Sequence, residues 1–153
     1  LGELLKPYGI PFLINDHVDI AKDMEADGVH IGQGDMAPED ARRILGEDKI
    51  IGLTAFTKDH IGAVDPVVVN YIGTGPFFPT KTDKGKPVLG AEKFAKLVKL
   101  SPVPVVGIGG ITPENAGQVI KAGANGVAMM RSISEAPDPG AAAVLFKNAI
   151  AQA

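Results

Sequence analysis

The chain has 153 residues, 45% of them hydrophobic and 22% charged, a composition that suits one globular domain with its own core and excludes a disordered chain. Fifteen Lys and Arg against 18 Asp and Glu leave a formal net charge of -3, so no basic field is available for nucleic acid or an anionic membrane, and small molecules are the expected partners. Cysteine is absent, which removes disulfides, thiolate metal sites and a Cys nucleophile from consideration and suits a cytoplasmic enzyme.

Leu1 to Lys6 reads as the end of a helix that passes through Pro7 and Gly9 into a first apolar run, Ile10 to Ile14. Five further runs follow: Gly28 to Ile31, Ile50 to Leu53, Val69 to Gly73, Pro104 to Ile108 and Gly126 to Met130. Their near-continuous Val, Ile and Leu content predicts parallel strands buried on both faces. None approaches the roughly 18 apolar residues of a membrane span, and no secretory leader pattern is present.

Between the runs, apolar residues recur at the helical period. Ala41, Ile44 and Leu45 share one face, Phe94, Leu97 and Val98 a second, and Ala116, Val119 and Ile120 a third. Pro38 and Pro113 suit first helical turns, Thr112 is placed to cap the helix that Pro113 opens, and Gly46 and Gly123 suit helix ends. The 19 glycines and 12 prolines punctuate these elements without forming a linker, so residues 1–153 read as a single domain. Strand starts recur about every 23 residues, the βα repeat of an eight-unit barrel or a doubly wound sheet. Six units are too few to close such a barrel, and the chain opens at Leu1 without an initiator Met. The expectation is that two preceding βα units, roughly 50 residues, are absent.

In parallel α/β folds ligands sit at the C-terminal ends of strands. Asn15-Asp16, Gly32-Gln33-Gly34-Asp35, Thr54, Gly73-Thr74-Gly75-Pro76, Gly109-Gly110 and Arg131-Ser132 follow successive runs. Neighbouring parallel strands lie about 4.8 Å apart, so Asp16 and Asp35 could bring two carboxylates to one Mg²⁺, which fills its other positions with water and phosphate oxygens. Each could equally cap the helix or turn that follows it. Gly109-Gly110, ahead of Thr112-Pro113, could offer bare N–H groups to a phosphate; the alternative is a tight turn that needs glycine. The loop from Gly75 to Gly90 carries Thr80-Lys81-Thr82-Asp83-Lys84-Gly85-Lys86, a hydroxyl- and lysine-rich stretch that could cover a phosphate or simply face solvent. His17, His30 and His60 have no metal-ligand spacing, and His30 reads as a satisfied core histidine. Met129-Met130 reads as strand core.

Four motifs occur together in order: Pro11-Phe12-Leu13-Ile14-Asn15-Asp16, Gly28-Val29-His30-Ile31-Gly32-Gln33 with Asp35, Tyr71-Ile72-Gly73-Thr74-Gly75-Pro76 leading to Pro79-Thr80, and Gly107-Ile108-Gly109-Gly110-Ile111-Thr112-Pro113-Glu114-Asn115-Ala116. With them the chain resembles thiamine phosphate synthase over essentially all its residues. The resemblance implies a TIM (β/α)8 barrel, with about six of its eight βα units in this chain. It also implies a Mg²⁺-dependent transferase that joins a hydroxymethylpyrimidine diphosphate to a thiazole phosphate and releases pyrophosphate. Carried over by residue, Asp16 and Asp35 would hold Mg²⁺ and Asn15 would contact the diphosphate. Thr54 would stand on the pyrimidine side, in place of the family's usual Ser. Thr80, Thr82, Gly110, Met130 and Arg131 would surround the thiazole phosphate.

Two positions and one missing motif depart from the family pattern. Asp83 stands where a lysine is expected, leaving Lys84 one residue later to assist pyrophosphate departure, and Arg131 stands where a serine is usual. The Gln-x-Arg-x-Lys motif of an earlier strand is missing, so these residues alone are expected to be inactive. The rival readings are a thiazole tautomerase-like enzyme, which would not need the carboxylate pair, and a non-catalytic phosphate-ligand binding domain. A homo-oligomer is compatible with all three.

Overall fold

In a computed structural model of the chain, residues 1–81, 85 and 87–153 are described. Six strands, β1 (Leu13–Asn15), β2 (Gly28–Ile31), β3 (Ile50–Thr54), β4 (Tyr71–Thr74), β5 (Val105–Ile108) and β6 (Gly126–Ala128), form one sheet in chain order, every neighbouring pair parallel. The helices are α1 (Gly2–Leu5), α2 (Val18–Asp23), α3 (Pro38–Leu45), α4 (Lys58–Gly62), α5 (Gly90–Val98), α6 (Ala116–Lys121), α7 (Arg131–Ser134) and α8 (Pro139–Ala151). A 3₁₀ turn over Lys6–Tyr8 follows α1.

Alternation along the strands sorts the side chains. Val29, Ile31, Ile51, Leu53, Ile72 and Val105 are buried in one core with Ala41 of α3, Ile61 of α4, Phe94 and Leu97 of α5, Ala116 and Val119 of α6, and Phe146 of α8. The intervening positions, His30, Thr54, Tyr71 and Val106, are only half-buried, and Ile108 is 45% exposed. Burial on both faces, as predicted, therefore holds only for the helix-facing side. The described sheet has two edge strands, β1 and β6, and does not close over its other face.

Pro38 opens α3 and Gly46 ends it with a φ of 94°, as their chemistry predicts. The N-terminal boundary of α6 differs from expectation. Asn115, rather than Thr112, occupies the N-cap position, because Thr112-Pro113-Glu114 forms a separate turn first. The sixth strand also ends early, at Ala128, so Met130 is not strand core; it precedes α7 and is 59% exposed.

The N-terminal ends of the strands are tied by a repeated device. A residue just before each even-numbered strand accepts a backbone N–H from the preceding strand segment: Asp27 Oδ2 from Phe12 (2.7 Å), Asn70 Oδ1 from Ile51 (2.8 Å) and Asn125 Oδ1 from Val105 (2.8 Å). Each returns its own N–H to the carbonyl of the same residue, at 2.9, 2.8 and 2.8 Å. Arg42 adds a further tie. Its buried guanidinium donates to the carbonyls of Gly46, Glu47, Lys49 and Val68 and to Asn70 Oδ1, so one cation joins the end of α3 to the entry of β4.

Candidate active site

The C-terminal ends of β3 to β6 enclose a cavity of about 310 Å³. Its lining includes Thr54, Thr80, Gly110, Met130 and Arg131, five of the residues expected to meet substrate. A larger cavity, about 470 Å³, lies at the opposite end among Phe12, Asp27 and Ile50. Parallel α/β sheets present their chemistry at strand C-termini, which makes the smaller cavity the candidate site. Thr82 and Lys84, with Asp83 between them, lie outside the described residues.

The wall formed by the loops after β4 and β5 is held by direct backbone contact. Phe77 N–H donates to Ile108 O at 2.9 Å and Phe78 N–H to Gly109 O at 3.0 Å. A Cβ on Gly110 would stand 2.4 Å from Pro79 O, and this residue also has a φ of 65°, so glycine is required there on two counts. Asn115 fixes the same loop from behind, accepting the Thr112 N–H at Oδ1 (2.8 Å) and donating from Nδ2 to Gly110 O (3.1 Å). Ser132 Oγ donates to Ile111 O at 2.5 Å, tying the first turn of α7 to this loop. Sequence reasoning gave Asn115 and Ser132 no role of their own, although both fall within or beside the motifs it used.

Arg131 lines the cavity, yet its guanidinium is engaged elsewhere. Nε and Nη2 donate to Glu135 Oε1 and Oε2 at 2.8 and 3.0 Å. This pairing raises the Arg131 pKa and lowers that of Glu135, to which Lys81 adds a smaller attraction.

Asn15 ends β1 and Asp16 follows it at a φ of 65°. His17 N–H donates to Asn15 O and Asp16 N–H to His30 O, both at 2.8 Å, so a three-residue turn holds Asp16 in a conformation few non-glycine residues adopt. His17 and Ala37 occupy the N-cap positions of α2 and α3, so neither Asp16 nor Asp35 caps those helices. Asp35 Oδ2 does accept the Gly32 N–H at 2.7 Å, closing the turn after β2. The two carboxyl groups lie within reach of each other. Burial first, then the charge of Asp35 and a hydrogen bond with it, raise the Asp16 pKa above its ordinary value, while His17 and His30 pull it down. Among the described residues no cluster of three or more His, Cys, Asp or Glu could hold a metal.

His30 stands on the half-buried face, in register with Asn15 and Gly52 and, through Gly52, with Tyr71. Both ring nitrogens have partners: Nδ1 and Tyr71 Oη are 3.0 Å apart, as are Nε2 and Thr54 Oγ1. Burial lowers the His30 pKa against the pull of Asp16 and Asp35, and burial alone raises that of Tyr71. The satisfied histidine is as expected; its link to Thr54 was not anticipated.

The family model described as thiamine monophosphate synthase matches residues 1–133. The chain belongs to this family. It is 42% identical over 150 residues to a thiamine-phosphate synthase from Bacillus velezensis, covering 97% of this chain and 66% of that protein. It is 41% identical over 143 residues to the thiamine biosynthesis bifunctional protein ThiED of Geobacter sulfurreducens, covering 94% of this chain and 29% of that protein. Among solved structures, thiamine phosphate pyrophosphorylase from Pyrococcus furiosus superposes with a TM-score of 0.88 at 32% identity, over 98% of this chain and 72% of the other. The chain thus spans under a third of the bifunctional relative and about two thirds of the Bacillus protein. Among the described residues no helix is long and apolar enough to cross a membrane.

Proposed function

We propose that this chain forms six βα units of an eight-unit barrel whose activity is thiamine phosphate synthesis, a cytoplasmic, Mg²⁺-dependent transfer. The substrates are 4-amino-2-methyl-5-(diphosphooxymethyl)pyrimidine and 4-methyl-5-(2-phosphooxyethyl)thiazole. The observation that carries this reading is the cavity in which Thr54, Thr80, Gly110, Met130 and Arg131 converge from the C-terminal ends of four successive strands. Two preceding βα units would complete the barrel and the pyrimidine diphosphate site.

In the proposed reaction the C–O bond between the pyrimidine methylene and the diphosphate breaks, its electron pair leaving with pyrophosphate. The lone pair of the thiazole nitrogen then forms the new C–N bond, and no proton need move. The Gly109-Gly110 loop and the Arg131 and Ser132 N–H groups at the start of α7 would receive the thiazole phosphate beside Thr80. Thr54 would border the pyrimidine ring. Exclusion of water and fixed dipoles around the developing methylene cation would lower the barrier.

The carboxylate pair fits a magnesium ion. Asp16 is held near Asp35 at an electrostatic cost that a cation would offset, and Mg²⁺ commonly takes one or two carboxylates, with water and phosphate oxygens completing its shell. When bound there it would neutralise charge on the departing diphosphate. Asn15, adjacent to Asp16, would hydrogen-bond the same diphosphate, and the family resemblance gives Lys84 the role of assisting its departure.

The test is direct. The full-length protein, given both substrates and Mg²⁺, is expected to release thiamine phosphate and pyrophosphate, and EDTA is expected to stop it. Undiminished turnover in EDTA would sink the metal assignment. Binding of the thiazole phosphate without any turnover would favour a non-catalytic role.

A further inference from the structure

Thr54 is held from two directions. Gln33 Nε2 donates to its backbone carbonyl at 2.6 Å, and His30 Nε2 lies 3.0 Å from its hydroxyl. Behind His30, Tyr71 Oη lies 3.0 Å from Nδ1, so three side chains from β4, β2 and β3 form one line ending at the cavity. The space beneath this line is reserved by glycine. A Cβ on Gly52 would stand 2.3 Å from Tyr71 Cζ and 2.5 Å from His30 Nδ1, and one on Gly73 would stand 3.0 Å from His30 Cε1.

A neutral imidazole has one donor and one acceptor, and the bond made by one nitrogen sets the role of the other. Two arrangements are self-consistent. If Nδ1 carries the proton it donates to the phenol oxygen, Nε2 accepts from Thr54, and the threonine shows the cavity only lone pairs. If Nε2 carries the proton it donates to Thr54 Oγ1, Nδ1 accepts from the phenol, and the threonine proton is free to enter the cavity. The phenol decides between them. A phenol is a far more acidic donor than an aliphatic alcohol, and conjugation with the ring makes its oxygen a poorer acceptor.

We propose that Tyr71 and His30 are positioning residues that hold the Thr54 hydroxyl with its proton directed into the cavity, so that Thr54 selects a ligand ring presenting a nitrogen lone pair. The proposal rests on the reading that Thr54 borders the pyrimidine. The aminopyrimidine ring offers such lone pairs. A ring carrying N–H at the same place would meet a second donor and be rejected, because a buried donor facing a donor leaves both unpaired.

Two measurements test this in the full-length protein. Long-range ¹H–¹⁵N correlation spectra of histidine report the tautomer directly, and His30 is expected to be protonated at Nε2 in the wild type. Tyr71→Phe is expected to redistribute that proton. In steady-state kinetics, Tyr71→Phe and Thr54→Val are each expected to lower kcat/KM for the pyrimidine diphosphate about tenfold, with KM for the thiazole phosphate unchanged. The double variant is expected to be no worse than either single one, and Thr54→Ser to stay within about threefold of wild type. A packing role would instead give additive losses and raise both KM values. His30 protonated at Nδ1 in the wild type, or additive losses in the cycle, would overturn the proposal. If the protein makes no thiamine phosphate, the functional reading falls, and the wild-type tautomer still decides the orientation of Thr54.

Discussion

Arg131 and Glu135 are joined by two parallel hydrogen bonds one helical turn apart, 2.8 and 3.0 Å long, which turn the guanidinium along α7. The proposed phosphate contacts at this position therefore come from the backbone. Arg131→Ser is expected to change KM for the thiazole phosphate by no more than about threefold, since exposed ion pairs contribute little. Steady-state kinetics with that substrate varied provide the check. A loss of a hundredfold or more would show that the arginine leaves Glu135 to grip the phosphate.

Asp16 carries a raised pKa, caused first by burial and then by Asp35. A carboxyl group raised on folding binds its proton more tightly in the native state. Its contribution favours folding below the ordinary carboxylate value and becomes less favourable as pH rises through the raised one. At neutral pH without a divalent cation, Asp16→Asn is expected to raise Tm, and to abolish turnover when Mg²⁺ and substrates are supplied. Asparagine is preferable to alanine because it tolerates the positive φ at this position. Melting curves of both proteins with and without Mg²⁺, across pH 4 to 8, make the comparison; a Tm gain that persists in saturating Mg²⁺ would argue against metal binding by Asp16.

Arg42 satisfies four carbonyls and one amide oxygen from within the protein. A lysine ammonium has only three donors and cannot reproduce the fork. Arg42→Ala is expected to destabilise the fold by about 3 kcal/mol and Arg42→Lys by about 2 kcal/mol in urea titrations. Because Arg42 sits at the end of the strands away from the cavity, kcat of the folded fraction should be unchanged.

Asn115 holds the loop that walls the proposed thiazole-phosphate site through Thr112 N–H and Gly110 O. Asn115→Ala releases both groups, and a loop misplaced by about 1 Å can cost up to a hundredfold in rate. The expected result is a KM for the thiazole phosphate raised about tenfold with little change in KM for the pyrimidine diphosphate, measured by varying each substrate in turn.

The strands were legible as short, near-continuous apolar runs between turn residues, and the three amphipathic helices because burial on one face imposes a period of 3.6. α8 was not legible: Gly140-Ala141-Ala142-Ala143-Val144-Leu145 offers little contrast between faces, although Asp138 caps it by accepting the Ala141 N–H. α2 and α4 are too short for a period to emerge. Gathering of Thr54, Thr80, Gly110, Met130 and Arg131 was implied by the family resemblance; strand polarity by itself singled out Thr54, Gly110 and Arg131 and left Met130 as strand core. The His30 line was legible from neither, because it joins positions 24 and 41 residues apart whose shared face depends on register. Gly52 and Gly73, small residues inside apolar runs, were the available signal, since glycine within a strand often marks a bulky neighbour. Thr112 was mistaken for a helix cap because Pro113 suits a first helical turn as well as the separate turn that forms there.

The ties made by Asp27, Asn70 and Asn125 lie within the pairs β1–β2, β3–β4 and β5–β6, and Arg42 ties the end of α3 to the entry of β4. Segments exchanged between relatives would therefore travel best with residues 42–70 taken from one parent. A crossover in residues 99–103, between the second and third pairs, leaves all of these ties intact. The three pairing ties end on backbone groups that any non-proline residue supplies, but Arg42 and Asn70 meet side chain to side chain. A crossover in residues 43–69 therefore separates partners that must be inherited together, and recombinant libraries should show surviving breakpoints at the first place and few at the second.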